Sequence, residues 1–139
     1  MTSFDDILAA VTADLPAAPG AWTTAQHVDH CAASIAASVD GFPALKPRLV
    51  RATIGRLVKR RFLGRGAMRH DTHAPLPGGA PPPPRTLDDA IASLHAAIER
   101  FRSHRGPLAP HPVYGACTAD EYERLHALHV ADHLRTIRG

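Results

Sequence analysis

Strand patterns, aromatic side chains, cysteine and long apolar runs are all scarce in this 139-residue chain. β-Branched residues rarely alternate with polar ones, so a half-buried strand has no clear place. Aromatics make up 5% of the residues, while alanine is abundant, a balance that suits helices packing through small side chains. The sequence therefore predicts an all-α fold. The two cysteines, Cys31 and Cys117, form neither a CxxC pair nor a metal-type spacing, and two do not make a disulfide scaffold. A reducing, cytoplasmic home is expected. No apolar run approaches the roughly 18 residues of a membrane span, and the start of the chain, with Asp5 and Asp6, lacks a charged-then-apolar signal pattern.

Acid is missing from one stretch altogether. Between Lys46 and Arg69 stand nine basic residues and no Asp or Glu, leaving seven bases against all thirteen acids elsewhere. One basic segment on an otherwise acidic molecule can attract nucleic acid or an anionic surface. Only Phe62 is available there for base stacking, so nucleic acid is disfavoured and a solvated face, or one contacting small anions, is expected. The length suits one domain, residues 1–139, with a sizeable core.

Four capping signals mark helix starts: Ser3 with Asp6, Thr23 with Gln26, Thr86 with Asp89 and Thr118 with Glu121. Apolar residues at three- and four-residue steps follow each one. The expected helices run over 3–15, 23–40, 86–104 and 118–137, with a shorter basic helix over 47–62. In the basic helix Gly55 is a weak point and Gly64 with Gly66 the expected stop. Residues 70–85, with Pro81 to Pro84, read as a long connection within one bundle.

The final helix carries the chemistry. On a helical wheel His126, His129 and His133 fall on one side, the apolar stripe that also holds Tyr122, Val130 and Ile137. His129 and His133 are one turn apart, with Cβ atoms expected roughly 5–6 Å from each other, within reach of one divalent cation. The competing reading is a set of core histidines bonded to their neighbours. On the second helix His30 lies beside the small residues Ala33, Ser34 and Ala37, which leaves room for a metal or ligand. His27, further round that helix, is expected to face solvent, as are His95 and His104. Cys117 precedes a helix N-terminus, where a thiol pKa can fall, but without a partner it reads as an ordinary turn residue.

Three pieces in order carry a resemblance: Trp22-Thr23 with His30, the turn His111-Pro112-x-Tyr114-Gly115 followed by Thr118, and His129-x-x-x-His133. The chain resembles the DinB-like superfamily, nearest an uncharacterised branch. The resemblance implies a four-helix bundle with a long crossover, here with the extra basic helix. It also implies a divalent metal, zinc or nickel, held by His30, His129 and His133. Relatives often have glutamine near Arg135, and His27 and His126 stand as extra histidines able to compete as ligands. The implied activity is a metal-dependent transfer using a low-molecular-weight thiol, with the basic segment holding the thiol's carboxylate. The alternative is a ligand- or partner-binding bundle without turnover. A small-molecule ligand is the expected partner, a homodimer is allowed, and a membrane is not expected.

Overall fold

The computed structural model describes residues 1–139 and contains six helices and no strand. These are α1 (Phe4–Ala10), α2 (Thr24–Asp40), α3 (Arg48–Ala52), α4 (Ile54–Arg65), α5 (Leu87–Ser103) and α6 (Ala119–Arg138). The all-α expectation is met. Capping boxes close the starts of α1, α2 and α6, and the Thr86 hydroxyl accepts from the Asp89 amide at the start of α5. Each such cap satisfies backbone donors that the helix itself cannot, worth about 1 kcal/mol.

Two helices depart from expectation. The first stops at Ala10 rather than Leu15, because Val11 turns extended (φ −96°, ψ 95°) while remaining 3% exposed. Beyond it the Thr12 hydroxyl bonds the Asp14 carboxylate, a local side-chain pairing that competes with further helix. The basic helix is broken in two at Thr53 (φ −116°, ψ −91°), whose hydroxyl donates to the Leu49 carbonyl at 2.6 Å. Its second half runs through Gly64 to Arg65 and closes on Gly66 in the left-handed region.

α2 is buried on two sides, against α5 and against α6. Its Val28 and Ile35 join Phe4, Ile7, Leu94, Ile98, Tyr122, Val130 and Ile137 in the main core. A smaller cluster of Met68, Tyr114, Leu125 and Leu128 lies under α4, which covers it with Val58, Phe62 and Leu63. The outer face of α3 and α4 leaves Leu49, Ile54 and Leu57 exposed, so these apolar positions do not serve the core. Lys59, by contrast, is not part of a solvated basic face. It is 8% exposed, donates to the Ala116 carbonyl and pairs with Glu121 at 3.1 Å. That contact ties α4 to the start of α6.

Gly55 is the point of closest approach. A Cβ there would overlap the Val113 carbonyl oxygen, a backbone atom with no rotamer to move away. At Gly64 a Cβ would meet nothing within 4 Å. Gly55→Ala should therefore destabilise the protein by about 1–3 kcal/mol. Gly64→Ala should be neutral or stabilise by up to about 1 kcal/mol. Urea denaturation of both variants checks this, and equal midpoints would contradict the packing described.

Candidate metal centre

α2 brings His30 to a point where α6 presents His129 and His133, and one ring nitrogen from each lies within 4.8 Å of the others. The three residues singled out in the sequence are thus together, on two helices distant along the chain. Ring centroids stand 5.1 Å apart for His30 and His129, 5.0 Å for His30 and His133, and 4.7 Å for His129 and His133. The Nε2 atoms of His129 and His133 face each other at 3.2 Å. His30 and His133 are buried, and His129 half-buried. The cluster could hold a metal ion. Burial, helped by the neighbouring imidazoles, lowers His30 to about 4 and His133 to about 2, and His129 well below its usual value. Near neutrality all three rings are uncharged, the form that ligates.

Two further histidines differ from the reading of the helix faces or stand close enough to compete. His27 does not face solvent. It is fully buried, with its Nδ1 2.8 Å from Nδ1 of His133, beneath Trp22 and His73. A helical wheel misses this because the cover comes from segments outside the helices. His126 is also buried, 3.2 Å from the Ser38 hydroxyl and stacked on Tyr122. Neither joins the cluster. His95 is exposed as expected, whereas His104 is half-buried and its Nε2 lies 3.0 Å from the Pro107 carbonyl oxygen.

The centre opens on a cavity of about 290 Å³. His30 and His129 reach its wall, and His133 lies behind them. The wall is largely apolar, with Phe42, Met68, Leu76, Val113, Tyr114 and Leu125. Of the small residues near His30 only Ser34 lines it; Ala33 is exposed, and Ala37 is buried away from it. None of the nine basic residues of 46–69 lines it either. The His111–Gly115 turn forms one end. His111 Nδ1 accepts from the Val113 and Tyr114 amides, and its ring stacks on Tyr114 at 4.0 Å. Cys31 is buried outside the cavity, and Cys117 is pushed up to about 11 by burial, so neither thiol is activated.

Sequence reasoning missed His70 and Asp132. Asp132, 1% exposed, sits on α6 between the two cluster histidines. It accepts the His70 amide at 2.9 Å, lies 2.8 Å from His70 Nδ1, and also pairs with Arg69 and Arg135. It thereby holds the connection between α4 and α5 against α6. No spacing in the sequence signals this pair, because 62 positions separate its members.

The family described as "Protein of unknown function (DUF1569)" matches residues 6–139. No curated protein and no solved structure matches the chain.

The buried rings set a pH dependence. Unfolded histidines bind protons below about 6.5, whereas His27 and His30 in the fold resist protonation down to about 4, and His111 and His126 to about 3. The unfolded chain thus binds more protons across that window, and stability falls as pH falls. Metal-free protein should keep a constant melting temperature above about pH 7 and lose it steeply between about pH 6.5 and 4. Circular dichroism melts across that range check this; a flat profile would contradict it.

Proposed function

Because the chain belongs to the family described as protein of unknown function (DUF1569), whose description assigns no activity, we propose a function from the geometry. The protein binds a divalent metal through His30, His129 and His133, in a DinB-like four-helix bundle with a long crossover. The observation that carries this is the convergence of three neutral imidazoles at the floor of an apolar cavity. Further support comes from the resemblance: Trp22 packs against His30, and residues 111–114 of the His111–Gly115 turn line the cavity.

His27 fits the same reading. For His133 to ligate through Nε2, its proton must sit on Nδ1, and the atom within 2.8 Å to receive it is Nδ1 of His27. His27 then carries its own proton on Nε2, which is buried without a partner. One histidine holds another in its ligating tautomer, a role usually taken by a carboxylate or carbonyl.

A bound divalent cation, zinc or nickel, would lower the pKa of a thiol or water at its free position. Three nitrogen ligands leave such a position, and here the cavity adjoins it. No cysteine lines the cavity, so a reacting sulfur has to arrive with a small molecule. The proposed activity is metal-dependent transfer of a low-molecular-weight thiol to an electrophile. The apolar wall selects the electrophile's hydrophobic part. The wall offers a thiol's carboxylate no lysine or arginine, so any help from the basic segment acts from outside it.

Elemental analysis of untagged protein should find one metal per chain in wild type and in His95→Ala, and none in His129→Ala or His133→Ala. Equal content in all of them would sink the assignment. His27→Leu should keep the site but bind the metal about 10–100-fold more weakly; chelator competition measures this, and unchanged affinity removes His27 from the argument. Metal-loaded protein should then conjugate bacillithiol, mycothiol or glutathione to a chromogenic electrophile faster than His133→Ala. If no thiol does so, the transferase reading falls and a ligand-binding bundle without turnover takes its place.

A further inference from the structure

Nε2 of His27, of His70 and of His73 is shielded without a hydrogen-bonding partner, and of these three rings only that of His70 stands against both His129 and His133. His70 stands on the connection between α4 and α5, its ring 4.7 Å from that of His129 and 5.1 Å from that of His133. Those separations match the ones within the cluster itself. Its Nε2 is shielded from solvent and meets no hydrogen-bonding partner. Nδ1, on the other side of the ring, lies 2.8 Å from the fully buried carboxylate of Asp132, out of line for a straight hydrogen bond. A carboxylate beside one nitrogen draws the proton there and leaves the lone pair on the other. This is the outer-shell arrangement that metal-ligating histidines commonly have.

The other histidines nearby are engaged through one nitrogen or lie further off, His73 packing on Trp22 and His27. His27 faces His133, His126 lies against Ser38, and His111 accepts two backbone amides. The segment carrying His70 is held down on α6 by the His70 amide on Asp132 and by Thr72 against Thr136 at 2.8 Å. Met68, two residues before His70, is buried in the smaller core cluster.

We infer that His70 is a fourth nitrogen donor of the metal centre, delivered by the α4–α5 connection and positioned by Asp132. This rests on the metal reading above. In the structure the mutual 4.8 Å limit holds for His30, His129 and His133 without His70, so His70 completes the set by a short inward movement. A cavity ligand would then reach the metal in exchange for His70, and the connection that roofs the cavity would report on occupancy.

The test uses His70→Asn in the full-length protein. Asparagine keeps a donor near the Nδ1 position for Asp132 but has nothing at Nε2, so the clamp is spared and the ligand removed. Zinc affinity, from competition with a chromogenic chelator, should fall at least about tenfold. In cobalt-loaded protein the visible bands should weaken and shift as water replaces nitrogen. His70→Ala should show the same spectral change, and His95→Ala should match wild type in both measurements. Wild-type affinity and unchanged cobalt bands in His70→Asn would overturn the assignment while leaving the three-histidine centre intact. Wild-type protein that takes up no metal would overturn both.

Discussion

Putting imidazoles inside a small, alanine-rich core imposes a demand on everything around them. Each ring carries two polar atoms, and a buried polar atom without a partner costs about 1–3 kcal/mol. α6 turns three histidines and an aspartate inward over eight residues, His126 to His133. The surroundings answer one atom at a time. Ser38 stands against His126, His27 against His133, and the Nε2 atoms of His129 and His133 face each other. At 3.2 Å one of these two nitrogens can donate to the other. The same cluster could hold a metal ion, with a lone pair from each of His30, His129 and His133.

How far the sequence showed this depends on the range of the interaction. Helical periodicity put His126, His129 and His133 on one inward face and His30 beside small residues, and the resemblance then picked out His30, His129 and His133 from among them. His27 was misplaced by the same method, since its cover of Trp22 and His73 comes from segments without periodicity. His70 and Asp132 were invisible for a related reason: the contact depends on how a proline-rich connection folds back over α6. Thr53 broke the basic helix where Gly55 was suspected. Gly55 has a different task, allowing backbone to approach the Val113 carbonyl. Lys59 looked like one more charge on a basic face, and only the position of Ala116 and Glu121 makes it a tether.

Two tethers divide the work of closing the cavity. Lys59 fixes α4 against the start of α6, where Glu121 already serves the Thr118 cap. Asp132 fixes the following connection near the end of α6. Both place a carboxylate of α6 opposite groups from the basic segment, so the excess charge of residues 46–69 has a structural use at Lys59 and Arg69. The exposed arginines between them are screened by solvent and contribute little to stability. Breaking a buried pair is different, because the partner is left charged in a low-dielectric site.

This division separates the histidine cluster from the cavity wall beside it. The clustered rings of His30, His129 and His133 stand on α2 and α6, whose mutual packing belongs to the core and tolerates little change in volume. The cavity wall comes mainly from two non-helical pieces: the connection that supplies Met68, His70 and Leu76, and the turn that supplies Val113 and Tyr114. Side chains on connections can change without disturbing the core, provided that their anchors hold. The anchors here are Asp132 and Thr136 of α6, which hold His70 and Thr72 of the connection, and the Lys59–Glu121 pair between α4 and α6. Altering Leu76 or Val113 should therefore reshape the apolar cavity and leave the three nitrogens in register. Altering Asp132 reaches both at once, since the same carboxylate seats the roof and faces the one histidine that belongs to roof and centre together.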